Sequence, residues 1–134
     1  MTSTTSSELR FERATACLFV TDFDRALAFY RDALGFEVFY TYGEPAFWGE
    51  ITRDGARLNL RHVDESPWVD GVRDAEQLLS AYMLVTDAKA LFLEHEARGI
   101  DFYERLQQKP WGSNEYVVRD PDGNLVLFGS PATG

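Results

Sequence analysis

Cysteine and histidine are nearly missing from this sequence: Cys17 is the single cysteine and His62 and His95 are the only imidazoles in 134 residues. One cysteine excludes an intramolecular disulfide and a cysteine-based zinc module. Two histidines with no shared motif spacing read as structural or solvated side chains, not as a joint metal site. Cys17 has no basic neighbour in sequence to favour the thiolate and reads as a small buried hydrophobe. Basic residues are also few, 13 against 22 acidic, for a formal charge of -9. That sign argues against nucleic acid or an anionic membrane as a partner. No run approaches the ~18 apolar residues of a membrane span. Met1 to Ser7 lacks the basic and apolar segments of a secretory leader and reads as a polar arm, which makes the cytoplasm the expected compartment. No glycine-rich phosphate loop or serine nucleophile elbow is present.

What the chain does have is a core and a repeat. Hydrophobic residues make up 45% and aromatics 14%, which suits a folded globule of one domain's length. Phe19-Val-Thr-Asp22 recurs as Leu84-Val-Thr-Asp87, about 65 residues on. After each copy a helical pattern stops at a glycine, Gly35 and then Gly99. Asp22 or Asp24, and Asp87, suit the N-cap, because a carboxylate accepts the unpaired N–H groups of a first turn. The glycines suit the left-handed position past the last turn. Arg53-Asp54-Gly55 is echoed by Arg119-Asp120 followed by Gly123, and Asp-Gly between alternating apolar runs signals a hairpin. Each half therefore spells strand, helix, strand, strand, strand. The expected fold is α+β: a polar arm (1–13), a first βαβββ module (14–62), an acidic linker (63–77) and a second module (78–131).

Each module can cover one sheet face with its helix, leaving the opposite faces to form a curved trough. Alternation assigns Ala16, Leu18, Val20, Leu58 and Leu60 to the helix side. It assigns Thr15, Cys17, Phe19, Arg57, Asn59 and Arg61, with Ser80, Tyr82 and Leu84, to the trough. Arg57 and Arg61 suit a carboxylate or phosphate, or can pair with Glu50 across the hairpin. Glu50, Glu115 and the acidic excess suit a cation, so the sequence leaves the ligand's charge open. Trp68, in the linker, reads as an edge cover.

Phe19-Val-Thr-Asp22 with Ala28-Phe-Tyr-Arg-Asp-Ala-Leu-Gly-Phe36 and Arg119-Asp-Pro-Asp-Gly-Asn124 resembles the glyoxalase/bleomycin resistance protein/dioxygenase superfamily, also called vicinal oxygen chelate proteins. Lys109-Pro-Trp-Gly112 leading to Glu115-Tyr-Val-Val-Arg-Asp-Pro121 is most similar to the bleomycin resistance proteins. The resemblance implies paired βαβββ modules, a homodimer, and aromatic contacts to a drug at Trp111 and at Phe47 or Trp48. It also implies that the metal-ligand positions of the family's enzymes fall on Thr15, Asn59, Ser80 and Leu127. None is a usual ligand for a divalent transition metal, and Leu127 cannot coordinate. A slip of one residue finds only Val126 or Phe128.

The expectation is therefore a metal-free, cofactor-free protein of the bleomycin resistance type. It would sequester a small planar molecule, a cation being one candidate, in the troughs of a homodimer. Phe47, Trp48, Asn59, Arg61, Tyr82, Trp111 and Glu115 are its candidate binding residues. The alternative is a glyoxalase- or dioxygenase-like enzyme of the same superfamily with an unconventional site, built on a cluster of Asn59, Arg61, Tyr82 and Glu115. A regulatory or immunity protein that uses the fold as an interaction surface is a third reading.

Overall fold

A computed structural model describes residues 8–68 and 71–132. The remaining residues, among them Met1–Ser7 of the expected arm and 69–70 of the linker, lie outside the described part. The first module runs β1 (Ala16–Val20), α1 (Phe23–Ala28), β2 (Glu37–Gly43), β3 (Ala46–Arg53) and β4 (Ala56–His62). The second runs β5 (Leu79–Leu84), α3 (Ala88–Ala97), β6 (Phe102–Gln108), β7 (Ser113–Arg119) and β8 (Leu125–Pro131). Between them the linker holds a short helix, α2 (Val72–Glu76). Each module is a four-stranded sheet, β1-β4-β3-β2 or β5-β8-β7-β6, whose first strand pairs parallel and whose others pair antiparallel. The tandem βαβββ duplication read from the repeat is the architecture.

Local chemistry explains where the helices begin and end. Asp22, not Asp24, caps α1 by accepting the Arg25 N–H at 3.0 Å, and Asp87 caps α3 by accepting that of Ala90 at 3.0 Å. Gly35 and Gly99 follow the helix ends with φ of +79° and +73°. One expectation needs correction. The pattern from Asp22 to Leu34 predicts a continuous α-helix, but α1 gives way at Phe29–Ala33 to a π-helical turn. There the Leu34 N–H donates to the Phe29 carbonyl at 3.2 Å, one residue beyond the α spacing. The wider turn ends with both Tyr30 and Leu34 buried in the core.

The core lies between the helices and the sheet faces they cover, and it runs through both modules. Leu18, Val20, Leu58 and Leu60 pack with Ala26, Tyr30 and Leu34 of the first module and with Met83, Phe92, Tyr116 and Phe128 of the second. Cys17 is the exception to the expected core. It is exposed, not buried, because its strand position faces away from α1, beside Asn59.

The Asp120-Pro-Asp-Gly-Asn124 turn does more than close a hairpin. Asp120 Oδ1 accepts the N–H groups of Asp122 (2.9 Å) and Asn124 (2.8 Å). Its Oδ2 accepts the Tyr30 hydroxyl (2.8 Å) and the Asn124 side-chain amide (2.9 Å). Asp122 Oδ1 accepts both the N–H (2.9 Å) and the hydroxyl (2.6 Å) of Thr21. The Asn124 amide also reaches the Phe19 carbonyl at 3.0 Å. The turn thus bolts the second module to β1 and α1 of the first. Elsewhere Arg53, at the end of β3, donates to the Leu34 carbonyl (2.8 Å) and forks onto Glu94 of α3 (2.8 and 3.1 Å), tying the end of the first helical segment to α3.

Candidate binding faces

The sheet faces turned away from the helices carry the expected residues in two groups, one per module. On the first sheet Trp48 stands opposite Arg61, and Glu50 opposite Asn59. The Trp48 indole N–H donates to the Tyr40 hydroxyl at 3.0 Å, and Arg57 donates to Glu50 at 2.7 Å. The structure thereby chooses between the two aromatic residues of β3. Trp48 shares its face with Glu50. Phe47 shares parity with Gly49, where an added side-chain carbon would stand 3.0 Å from Phe23 of α1. Phe47 instead packs edge-to-face on Tyr42, with ring centroids 5.7 Å apart.

Two residues of this face escape a sequence reading. The β2–β3 register slips by one between Val38 and Tyr40. Such a bulge breaks strict alternation. Phe39 lies under Arg57 (5.1 Å from guanidinium to ring centroid) while its neighbour Tyr40 reaches Trp48. The aromatic run Phe39-Tyr40-Thr41-Tyr42 was the available signal.

On the second sheet Trp111 sits at the tip of the β6–β7 turn, which the Gly112 N–H closes onto the Lys109 carbonyl at 3.0 Å. Gly112 has φ +87° there, a conformation that favours glycine. The Trp111 indole N–H donates to Glu115 Oε2 at 3.0 Å, although the side chain remains 69% exposed. Glu115 is buried on β7. Tyr82 completes the group: its hydroxyl would meet a carbon added at Gly129 at 2.8 Å, and Glu115 Cγ would meet it at 3.3 Å. Only a glycine at 129 lets the two side chains close over β8. Val117, Leu125 and Leu127 form an apolar floor beside them.

Of the expected residues, then, Trp48, Asn59 and Arg61 come together on one sheet and Tyr82, Trp111 and Glu115 on the other. Among the described residues no hydrogen bond or ion pair joins the two groups. The bonds between modules are those of the Asp120 turn and the helical side. Ser80, expected to face the trough, is tied to Arg73 (3.1 Å) and Asn124 (3.2 Å). A cavity of about 900 Å³ opens elsewhere, between the β3–β4 turn, β5 and the start of α3. Tyr82 is the one candidate binding residue on its wall. Each group thus stands on the open face of its own sheet.

The electrostatics of Cys17 follow from its placement. Partial desolvation by the sheet pushes its thiol above the ordinary value, and the Arg61 guanidinium only partly reverses that. The balance disfavours a reactive thiolate.

The family model of the Glyoxalase/Bleomycin resistance protein/Dioxygenase superfamily matches residues 11–128. The chain belongs to that superfamily. Among solved structures, TioX from Micromonospora sp. ML1 is similar at 25% identity and a TM-score of 0.72, over 90% of this chain and 99% of that one. The bleomycin-binding protein from bleomycin-producing Streptomyces verticillus, solved with copper(II)-bleomycin, is similar at 25% identity and a TM-score of 0.69, over 95% and 100%. Lactoylglutathione lyase from Agrobacterium tumefaciens, at 24% identity and a TM-score of 0.68 over 92% and 96%, shares the fold. A comparison with curated protein sequences returned no match.

Superfamily membership raises the question of a metal, and the donor set does not fit one. Thr15 and Asn59 belong to the first module, Ser80 and Leu127 to the second. Leu127 offers no lone pair, and the Ser80 hydroxyl is already engaged by Arg73 and Asn124.

Proposed function

We propose that this protein binds a small planar molecule without transforming it, in the manner of the bleomycin resistance proteins, and that two copies complete each trough. The carrying observation is Trp111. Its ring is largely exposed while its N–H is held by the buried Glu115 carboxylate. An exposed but oriented indole is a stacking plate with little rotamer entropy left to lose on binding. Trp48 repeats the device on the first sheet, anchored by Tyr40. With both N–H groups engaged internally, the indoles offer a ligand their π faces. Protection by such a protein is mass action: ligand held on the dimer is withdrawn from solution. The exposed, unpaired Cys17 suits the reducing cytoplasm as the place of action.

A homodimer would bring the first-sheet face of one copy against the second-sheet face of the other and cover the open strand edges that each sheet leaves. Light scattering at micromolar concentration is expected to give twice the mass of the chain. A monomer would end the shared-trough reading.

Calorimetric titration with metal-free bleomycin and with planar aromatic probes tests the binding itself. Saturable heat is expected with at least one of them. Trp111→Ala should weaken that binding by about tenfold or more, and because it also removes the hydrogen bond to the buried Glu115 it should cost about 1 kcal/mol of stability. Stoichiometric zinc, nickel or iron in the purified protein would instead favour an enzyme of the superfamily.

A further inference from the structure

Beside its indole, each sheet face carries one internal ion pair and one charge left over. On the first sheet Glu50 neutralises Arg57 at 2.7 Å. Arg61, opposite Trp48, is exposed and meets no carboxylate within ion-pair distance among the described residues. On the second sheet Glu104 neutralises Lys109 at 2.8 Å. Glu115, only 5% exposed, receives the Trp111 N–H on Oε2 and faces no cation within ion-pair distance among the described residues. Arg119, at the end of β7, is already paired with Asp74 at 3.0 Å. Glu37 lies opposite Thr52, four residues along β3 from Trp48, roughly 13 Å away at a strand's rise. The two leftover charges beside the indoles are therefore one guanidinium and one carboxylate, and they have opposite signs.

A mostly buried carboxylate with no cation beside it and one oxygen left without a hydrogen bond among the described residues is suited to receive a donor from a ligand. A planar cation would compensate Glu115 but leave its charge facing Arg61. A planar anion would satisfy Arg61 and leave Glu115 unpaired beside a like charge. Building on the reading of the two faces as halves of one trough, we propose that the molecule bound there is amphoteric. It is a planar aromatic with an anionic group received by Arg61 and a protonated nitrogen received by Glu115. The guanidinium fork matches a ligand carboxylate in two parallel bonds, and the second Glu115 oxygen takes the N–H of the cation. The ring system between them stacks on the indoles.

Three tricyclic probes separate the possibilities by calorimetry on the full chain: 9-aminoacridine as the cation, anthracene-9-carboxylate as the anion, and 9-aminoacridine-4-carboxylate carrying both groups. The amphoteric probe is expected to bind about tenfold or more tightly than either of the others. Arg61→Gln should reduce it to the affinity of 9-aminoacridine, and Glu115→Gln to that of anthracene-9-carboxylate. Glu115→Gln still offers an oxygen to the Trp111 N–H, so the stacking plate is retained. Equal affinities for the three probes, or a preference for the simple cation that Arg61→Gln leaves unchanged, would overturn the assignment while leaving the trough intact. If Arg61→Gln instead weakens the dimer in sedimentation and keeps the probe ranking, Arg61 serves subunit contact and the assignment falls. If none of the three probes and no bleomycin binds the intact dimer, the binding function itself falls.

Discussion

Asp120→Ala is expected to lower the unfolding free energy by about 3 kcal/mol, the cost of leaving several buried donors without a partner. For a chain of this length that is a fall of roughly 10 °C in thermal midpoint. The carboxylate is 3% exposed and accepts four hydrogen bonds, from two backbone N–H groups, the Asn124 amide and the Tyr30 hydroxyl. Burial pushes its carboxyl above the usual range, and those bonds only partly offset the shift. The same burial, with Asp120 alongside, raises the Tyr30 hydroxyl well above its ordinary value, so it remains a donor at any physiological pH. Truncation would strand Tyr30, loosen the turn and slacken the bolt between the modules. Asp87→Ala is the contrast: it removes an exposed helix cap and should cost about 1 kcal/mol. Equal losses for the two variants in urea unfolding would mean that the turn carries no special load between the modules.

Features set by a few neighbouring residues were legible before the fold was known. Asp22 and Asp87 as caps, Gly35 and Gly99 as stops, and the alternation of Leu58 and Leu60 against Asn59 and Arg61 each follow from chemistry within one turn or one strand. Cys17 was misassigned by a residue-type argument that its own strand parity contradicted, and parity won. The π-turn at Phe29–Ala33 and the bulge beside Phe39 were not legible, because both depend on the register that packing imposes on a locally ordinary sequence. The Asp120–Asn124 turn was legible as a hairpin but not as a bolt, since Thr21 and Tyr30 lie 90 or more residues away in sequence.

The candidate site divides along the same line. Trp111 and Glu115, four residues apart, sit where the loop and strand pattern placed them. Trp48 over Phe47 followed only once Gly49 was seen to face α1. That the two groups stand on separate sheet faces was beyond reach of the repeat alone. Which sides of the two modules meet is decided by the Asp120 turn, which holds Thr21 and Tyr30, and by the Arg53–Glu94 fork.

Acid should weaken this fold through His95, and the sign follows from its burial. The ring is 0% exposed, packs edge-on to Phe128 and accepts or shares a hydrogen bond with the Tyr116 hydroxyl at 2.9 Å. Desolvation lowers its pKa to about 4; Glu94 opposes that shift, while Arg53 and Arg98 reinforce it. At neutral pH the imidazole is therefore uncharged, and Tyr116 donates to Nδ1, its own hydroxyl held protonated by burial. In the unfolded chain the same histidine titrates near 6.5. Between these two values the unfolded state binds more protons than the native state, so stability rises with pH across that window. The contribution is complete above about pH 6.5, is lost progressively down to about pH 4, and amounts to roughly 3 kcal/mol over the interval. Urea unfolding at pH 7.0 and pH 4.5 reads this loss, and His95→Gln isolates it from the carboxylates, which titrate in both proteins. The wild type should lose about 2 kcal/mol more than the variant between the two pH values. Parallel losses would show that the pocket formed by Tyr116, Phe128 and Glu94 admits the imidazolium as readily as water does.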